Sequence, residues 1–315
     1  MKSNNVELSI VIPVFNEEAC VEKLISKVNK SLNALSRSYE IIIVDDGSTD
    51  RTSEILRGLK KEHKELRVIR FRKNYGQTPA MVAGFDYAKG NIIITMDGDL
   101  QNDPADIQKL LDKMDEGYEV VSGWRYKRKD KLFTRKIPSM IANKMISVLT
   151  GVKLHDYGCS LKAYKAECIR AVNAYAEMHR FFPAVASITG ARTAEVRVNH
   201  YARKLGKSKY GLSRTFKVFA DLFTIFMITK FSTKPSIFFG LCSVPFVLFG
   251  MLAMIISIYR YFMLEDRLIV YPGVTLLFFV IAGHFIILGL LSAVILTKGD
   301  YKPEKLSTLT AEVIH

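Results

Sequence analysis

The chain has 315 residues, room for one good-sized domain and something smaller, and its 45 Lys and Arg against 31 Asp and Glu give a net charge of +14. Beside 49% hydrophobic residues, that surplus fits a protein that meets phosphates or an anionic membrane surface. It does not make a nucleic-acid binder, because no such motif stands out and the single Trp124 offers no stacking series.

Val6 to Phe15 reads as a first strand, and its apolar part, Leu8 to Phe15, is too short and too quickly followed by acid to be a signal peptide. Asn16, Glu17 and Glu18 follow, and then a helical pattern over Val21–Leu35 with apolar Val21, Leu24, Ile25, Val28 and Leu32. Ile41–Val44 is a second strand ending in Asp45-Asp46-Gly47-Ser48-Thr49-Asp50, whose last residues can cap a helix running to about Lys61. Leu66–Phe71 is a third strand, Gln77–Ala88 a helix, Ile92–Met96 a fourth strand, and Tyr118–Ser122 another. Strands alternating with helices predict an α/β fold with a doubly wound, mostly parallel sheet. The four cysteines (Cys20, Cys159, Cys168 and Cys242) show no C-x-x-C spacing, which predicts reduced thiols in a cytosolic compartment.

Polar strand ends mark the candidate site. No strand-to-helix turn carries G-x-G-x-x-G, and Gly206-Lys207-Ser208 fails as a P-loop because Tyr201 stands where its first glycine must be. Instead Asn16-Glu17, Asp45-Asp46 and Asp97-Gly98-Asp99-Leu100-Gln101 follow three strands, where open α/β sheets bind ligands. On extended backbone Asp97 and Asp99, two apart, would leave the same face and converge on one cation. Hard oxygen ligands without His or Cys suit Mg²⁺ or Mn²⁺. The bland alternative is a turn with solvated aspartates.

Ser9-Ile-Val-Ile-Pro13-Val14-Phe-Asn16-Glu17-Glu18, Val44-Asp-Asp-Gly-Ser48-Thr-Asp50 and Met96-Asp-Gly-Asp-Leu-Gln101 resemble, in order and spacing, the inverting nucleotide-sugar glycosyltransferases of family 2 with the GT-A fold. Arg72–Gln77, Gly84–Asp86, Glu116–Val121, Asp156–Tyr164 and Gly206–Tyr210 are similar to its polyprenyl-phosphate branch, which includes dolichyl-phosphate mannose synthase and bacterial undecaprenyl-phosphate aminoarabinose transferase. The resemblance spans roughly residues 6 to 297. It implies that Pro13, Val14, Asn16, Glu17, Asp45, Asp46 and Ser48 receive the nucleoside of a nucleotide-sugar donor, with UDP favoured over GDP. Asp97, Gly98, Asp99 and Gln101 would serve its diphosphate, with Asp97 and Asp99 on the metal and Arg203, Ser208 and Lys209 adding contacts. It further implies that Arg125 and Arg135 lie near the acceptor phosphate and that Asp156 is the base or acceptor-side carboxylate. A strong base is not required, since a phosphate monoester, second pKa about 6, is already largely dianionic at neutral pH.

Leu212–Phe231, with Phe216, Phe219, Leu222, Phe223 and Phe226, suggests an amphipathic interfacial helix. Ile237–Ile258 and Val270–Leu296 are each long enough to cross about 30 Å of hydrocarbon. Tyr259, Tyr261, Phe262 and Tyr271 fit an interfacial belt at their connector, and His284 reads as a helix-contact or headgroup residue rather than a metal ligand. Basic flanks and a connector with two acids put both termini in the cytoplasm by the positive-inside rule. The expected organisation is a catalytic domain over 1–211, an interfacial region over 212–234, a transmembrane hairpin over 235–297 and a cytoplasmic tail over 298–315. The expected activity is a membrane-bound transfer of a sugar to a polyprenyl phosphate, in a protein that can form homo-oligomers. A processive polysaccharide synthase is disfavoured because Gln-x-x-Arg-Trp is missing: Ser122-Gly123 precede Trp124. A non-catalytic scaffold of the same fold is disfavoured by the intact D-x-D.

Overall fold

The computed structural model describes residues 6–126, 143–144, 146–147, 151–170, 178–188, 190–201, 235–264, 269–298 and 310–314. The chain forms two compact units, Met1–Leu222 with Pro303–His315, and Phe223–Lys302.

The first unit is built on β1 (Leu8–Val14), whose side chains are almost all buried. It pairs in parallel with β2 (Tyr39–Asp45) on one side and β4 (Ile92–Thr95) on the other, and β3 (Leu66–Phe71) continues beyond β2. Isoleucine and valine dominate these strands because both faces are covered by helices. On one face α1 (Val21–Asn33) buries Val21, Leu24, Ile25, Val28 and Leu32, the stripe read from its 3.6-residue period. The helix α4 (Ile107–Asp115) adds Ile107, Leu110, Leu111 and Met114 to the same core. Each such side chain contributes roughly 1.5–3 kcal/mol by leaving water. Between β2 and β3 lies α2 (Thr52–Glu62), and Asp50 accepts the Thr52 N–H at its start.

On the other face α3 (Gln77–Tyr87) packs without a clear apolar stripe, since Thr78, Ala80, Met81, Ala83, Gly84 and Phe85 are all buried. Gly84 makes its close approach possible. A Cβ there would stand 2.2 Å from Val11 Cγ1 of β1.

The mostly parallel sheet takes in its antiparallel pairs at β6 and at one edge. β5 (Val120–Trp124) and β4 are bridged by β6 (Lys162–Lys165), antiparallel to both, and β7 (Thr193–Arg197) runs parallel to β5 at one edge. At the other edge β8 (Thr310–Ile314) pairs antiparallel with β3, giving the order β7-β5-β6-β4-β1-β2-β3-β8. Short helices α5 (Ala166–Arg170) and α6 (Phe182–Ile188) follow β6. The sequence pattern hides β6 because its first residue is a lysine that the fold buries. The predicted interfacial helix over 212–231 lies outside the described residues.

The second unit is a helical pair, α7 (Pro235–Met263) and α8 (Val270–Lys298). Over their most apolar windows the mean hydropathy is 2.4 and 2.6, with 11% of each window buried. Both are long and apolar enough to cross a membrane. Exposed Leu248, Leu252, Ile255, Leu276 and Leu290 present an apolar surface that water does not favour. Ring contacts lock the pair, with Phe246 5.5 Å from Phe285 and Phe249 5.8 Å from Phe278. His284 Nδ1 lies 2.8 Å from the Val280 carbonyl one turn earlier, a bond within its own helix.

Replacing Gly84 with Ala forces α3 off β1. We expect a loss of about 1–3 kcal/mol in denaturant unfolding of the sheet unit, and an unchanged midpoint would refute the close packing.

Candidate active site

The parallel register decides which side chains meet. Val14 pairs with Asp45 and Val11 with Thr95, so the carboxyl ends of β1, β2 and β4 open on one edge. The loops after β1 and β2 are sewn together there. The Asn16 N–H donates to Ser48 Oγ at 2.9 Å, the Thr49 N–H to Asn16 Oδ1 at 2.8 Å, and the Glu17 N–H to Thr52 Oγ1 at 2.9 Å. Asn16 turns through a positive φ of 51° to do so.

Asp45 and Asp46 are both buried. Asp45 accepts from the Ser48 N–H at 2.9 Å and from Ser53 Oγ. Asp46 accepts from the Tyr75 and Gly76 N–H groups at 2.7 and 2.9 Å, which fixes the segment leading into α3. Burial pushes the Asp46 carboxyl up to about 6, with Asp45 adding to the rise and the two backbone bonds opposing it.

Asp97 and Asp99 do not lie on extended backbone. β4 ends at Thr95, and residues 98 and 99 form a turn with Leu100 at φ 62°. The Gln101 N–H donates to Asp99 Oδ1 at 3.2 Å, so the D-x-D is an Asx-type turn rather than a strand end. Gln77 Nε2 donates to Asp97 Oδ1 at 2.7 Å, and the Asp97 N–H donates to Asn102 Oδ1 at 3.2 Å. Gly98 lets this turn press onto β1, since a Cβ there would stand 2.7 Å from Val14 Cγ1 and 3.2 Å from the Pro13 carbonyl oxygen. Gln101 bonds Tyr201 through Nε2 (3.2 Å) and through its carbonyl (2.9 Å). Both aspartates are partly exposed. Two carboxylates with no nitrogen or sulfur donor fit a hard divalent cation. The cluster Glu119, Glu167 and Cys168 is a different place, and there Glu119 already accepts from the Arg192 N–H and from Lys165.

Across from this turn a buried ion pair closes the corner. Arg125 donates from Nε to Asp156 Oδ2 at 2.7 Å and from Nη2 to Oδ1 at 2.8 Å, a two-pronged contact. The Arg125 and Gly158 N–H groups add bonds to Asp156 at 3.3 and 3.1 Å. Burial works against the Arg125 charge, but the bonds to Asp156 outweigh it and hold the guanidinium above its ordinary value. Glu195 on β7 accepts the His155 and Asp156 N–H groups at 3.0 and 3.1 Å, pinning the segment that carries Asp156.

Beneath lies Lys162, wholly buried, its ammonium donating to the Tyr157 carbonyl at 3.0 Å. Burial lowers it to about 8, while Cys159 and Asp156 pull the other way. Cys159 is pushed up to about 12 by burial and stays a thiol. His179, half-buried, is held down to about 3, first by desolvation and then by Arg180 and Lys162. It meets Thr78 at the start of α3, 2.9 Å from Nδ1 to Oγ1.

The structure thus gathers Pro13, Val14, Asn16, Glu17, Asp45, Asp46, Ser48, Asp97, Gly98, Asp99 and Gln101 at one edge of the sheet, and pairs Arg125 with Asp156. Arg135, Arg203, Ser208 and Lys209 lie outside the described residues. Gln77 and Lys162 were not anticipated as site residues, although each sits in a segment already singled out, Arg72–Gln77 and Asp156–Tyr164.

A mixed sheet of this order, with a D-x-D turn at the carboxyl end of its central strands, defines a GT-A-type α/β transferase. The glycosyl transferase family 2 model matches residues 9–172, and the chain belongs to that family; it is a glycosyltransferase. It is 46% identical over 259 residues to a dodecaprenyl-phosphate galacturonate synthase of Rhizobium johnstonii, covering 81% of this chain and 76% of that protein. It is 41% identical over 231 residues to an undecaprenyl-phosphate 4-deoxy-4-formamido-L-arabinose transferase of Aeromonas hydrophila, covering 73% and 71%. Its fold resembles the crystal structure of glucosyl-3-phosphoglycerate synthase from Mycobacterium tuberculosis, a structure containing Mn²⁺, UDP-glucose and phosphoglyceric acid. There the TM-score is 0.54 at 18% identity, covering 73% of this chain and 82% of that one.

Two outcomes test the corner. Arg125→Ala leaves Asp156 buried and uncompensated, so we expect a loss of about 3–5 kcal/mol that Arg125→Ala with Asp156→Ala largely relieves in a double-mutant cycle; additive losses would dissolve the pair. For Lys162, the unfolded chain holds more protons than the folded one between about 8 and its ordinary 10.5. This group therefore makes stability rise with pH across that window. Urea midpoints taken through it should climb more steeply in wild type than in Lys162→Met.

Proposed function

We propose that this protein transfers a sugar from a nucleotide-diphosphate donor, UDP-linked by preference, to a polyprenyl phosphate at the membrane. The observation that carries the reading is the D-x-D turn at the carboxyl edge of the sheet, facing a corner closed by the Arg125–Asp156 pair. The polyprenyl-phosphate names of the two relatives supply the acceptor class. The sewn loops of Asn16, Ser48 and Asp45 form the floor for the nucleoside, with Asp46 fixing the loop before α3. Mg²⁺ or Mn²⁺ held by Asp97 and Asp99 would supply positive charge to the donor diphosphate.

A lipid phosphate oxygen attacks the anomeric carbon as the bond to the donor's β-phosphate oxygen breaks, releasing nucleoside diphosphate and inverting the centre. Because the attacking phosphate is already anionic, no strong base is needed. Asp156, with both oxygens held, acts with Arg125 as one rigid unit on the acceptor side. Gln77 holds Asp97 in place, and Arg203, Ser208, Lys209 and Arg135 add contacts to the two anionic substrates. Catalytic domain and both termini face the cytoplasm, with 1–211 as that domain, 212–234 at the interface, 235–297 crossing twice and 298–315 as the tail. Homo-oligomers are compatible with this arrangement.

Purified full-length protein, given undecaprenyl phosphate and a panel of nucleotide sugars, should yield a glycosyl lipid phosphate by mass spectrometry. We expect EDTA to abolish transfer and Asp99→Ala to lower kcat by about 100-fold or more. Turnover unaffected by either change would remove the metal role, and a panel with no lipid product would remove the acceptor.

A further inference from the structure

One guanidinium near the acceptor corner is left without an acid. Trp124 and Arg197 are register partners on β5 and β7, so their side chains rise from the same face of the sheet. The Arg197 Cζ stands 5.3 Å from the centre of the Trp124 ring and 4.3 Å from that of Tyr126, and these two rings meet edge to face at 5.0 Å. The imidazole of His155 stacks on Trp124 at 4.3 Å and 15°, and Glu195 Oε2 orients it at 2.7 Å from Nδ1. The result is a shelf of three rings carrying one cation.

The nearby acids are taken. Asp156 is held by Arg125, and Glu195, two residues before Arg197, is occupied by His155 and the Asp156 N–H. Among the described residues Arg197 makes no ion pair, and it is exposed. A guanidinium lying on ring faces is steadied by them while its N–H edge stays free for a two-pronged contact with an oxyanion. The shelf also flanks the Arg125–Asp156 corner in sequence on both sides, through Trp124 and Tyr126 around Arg125 and through His155 before Asp156.

We propose that Arg197, shelved on Trp124 and Tyr126, receives the phosphate of the polyprenyl acceptor. The inference rests on the acceptor class proposed above. Its occupant is an amphiphile because the shelf is one: Tyr126 is 54% exposed beside an unpaired charge, matching a phosphate joined directly to hydrocarbon. A sugar carboxylate on the donor is the rival oxyanion, and it brings no hydrocarbon.

Trp124 is the chain's single tryptophan, so its fluorescence reports this shelf directly. Farnesyl monophosphate titrated into full-length protein in detergent should change its emission saturably. Farnesol and glucuronate should not, at the same concentrations. Arg197→Gln should raise the apparent Kd by about tenfold or more, and Arg197→Lys by less, since lysine keeps charge without the fork. An unchanged Kd in Arg197→Gln, an equal response to farnesol, or an equal response to glucuronate would each overturn the proposal. In the transfer assay, Arg197→Gln should raise KM for the polyprenyl phosphate and leave KM for the donor alone; a rise in donor KM alone would move Arg197 to the other substrate and overturn it too. Should wild type transfer nothing to the lipid, the acceptor reading fails there, while the fluorescence titration still decides the shelf.

Discussion

Parallel strands in register bring their carboxyl ends to one edge, and here those ends are acidic. Asp45, Asp46, Asp97 and Asp99 would repel one another across that edge unless each found donors. The fold supplies them unevenly. Asp45 and Asp46 are buried and take their hydrogen bonds from hydroxyls and backbone N–H groups of the adjoining loops, which fixes the loops as much as the acids. Asp97 and Asp99 stay partly exposed, the first bonded by the Gln77 amide and the second by the Gln101 N–H. That gradient in burial leaves the second pair as the one nearer solvent, where the proposed cation would sit.

The same logic governs the corner closed by Arg125 and Asp156. A carboxylate as buried as Asp156 needs a cation, and Arg125 meets it with two bonds, so that charge is consumed within the protein. Lys162 beneath is likewise turned inward, onto a carbonyl. A net charge of +14 therefore says little about the cations at the site itself. What matters is which of them lacks an internal partner, and that is a property of the fold.

Much of the architecture was legible in the chain. β1 to β4, α1 and α3 fall within two or three residues of their expected bounds, because long β-branched runs and the 3.6-residue stripe of α1 each have one stable solution. The three polar strand ends were legible for the same reason: strands that end on acids and amides, all facing one way, leave few alternatives. The antiparallel insertion of β6 was not. Leu161 to Lys165 offers no alternation when its lysine at 162 is buried, and β8 lies far along the chain from its partner β3. The turn of the D-x-D was misread as extended strand because periodicity cannot see that Leu100 takes a positive φ and that Gln101 donates back to Asp99.

The pairing of Arg125 with Asp156 shows why residue type and role separate most easily at a site. An arginine in a basic run reads as a phosphate ligand, and an aspartate before a glycine reads as a base or a turn. Only their mutual geometry shows that each cancels the other's charge. Arg197 is the converse, a residue in a half-buried edge strand with no motif around it. It comes to notice because Glu195 is occupied elsewhere and two aromatic rings lie under the guanidinium. A charge left over after every nearby acid has been assigned is stronger grounds for a ligand than a charge in the expected place.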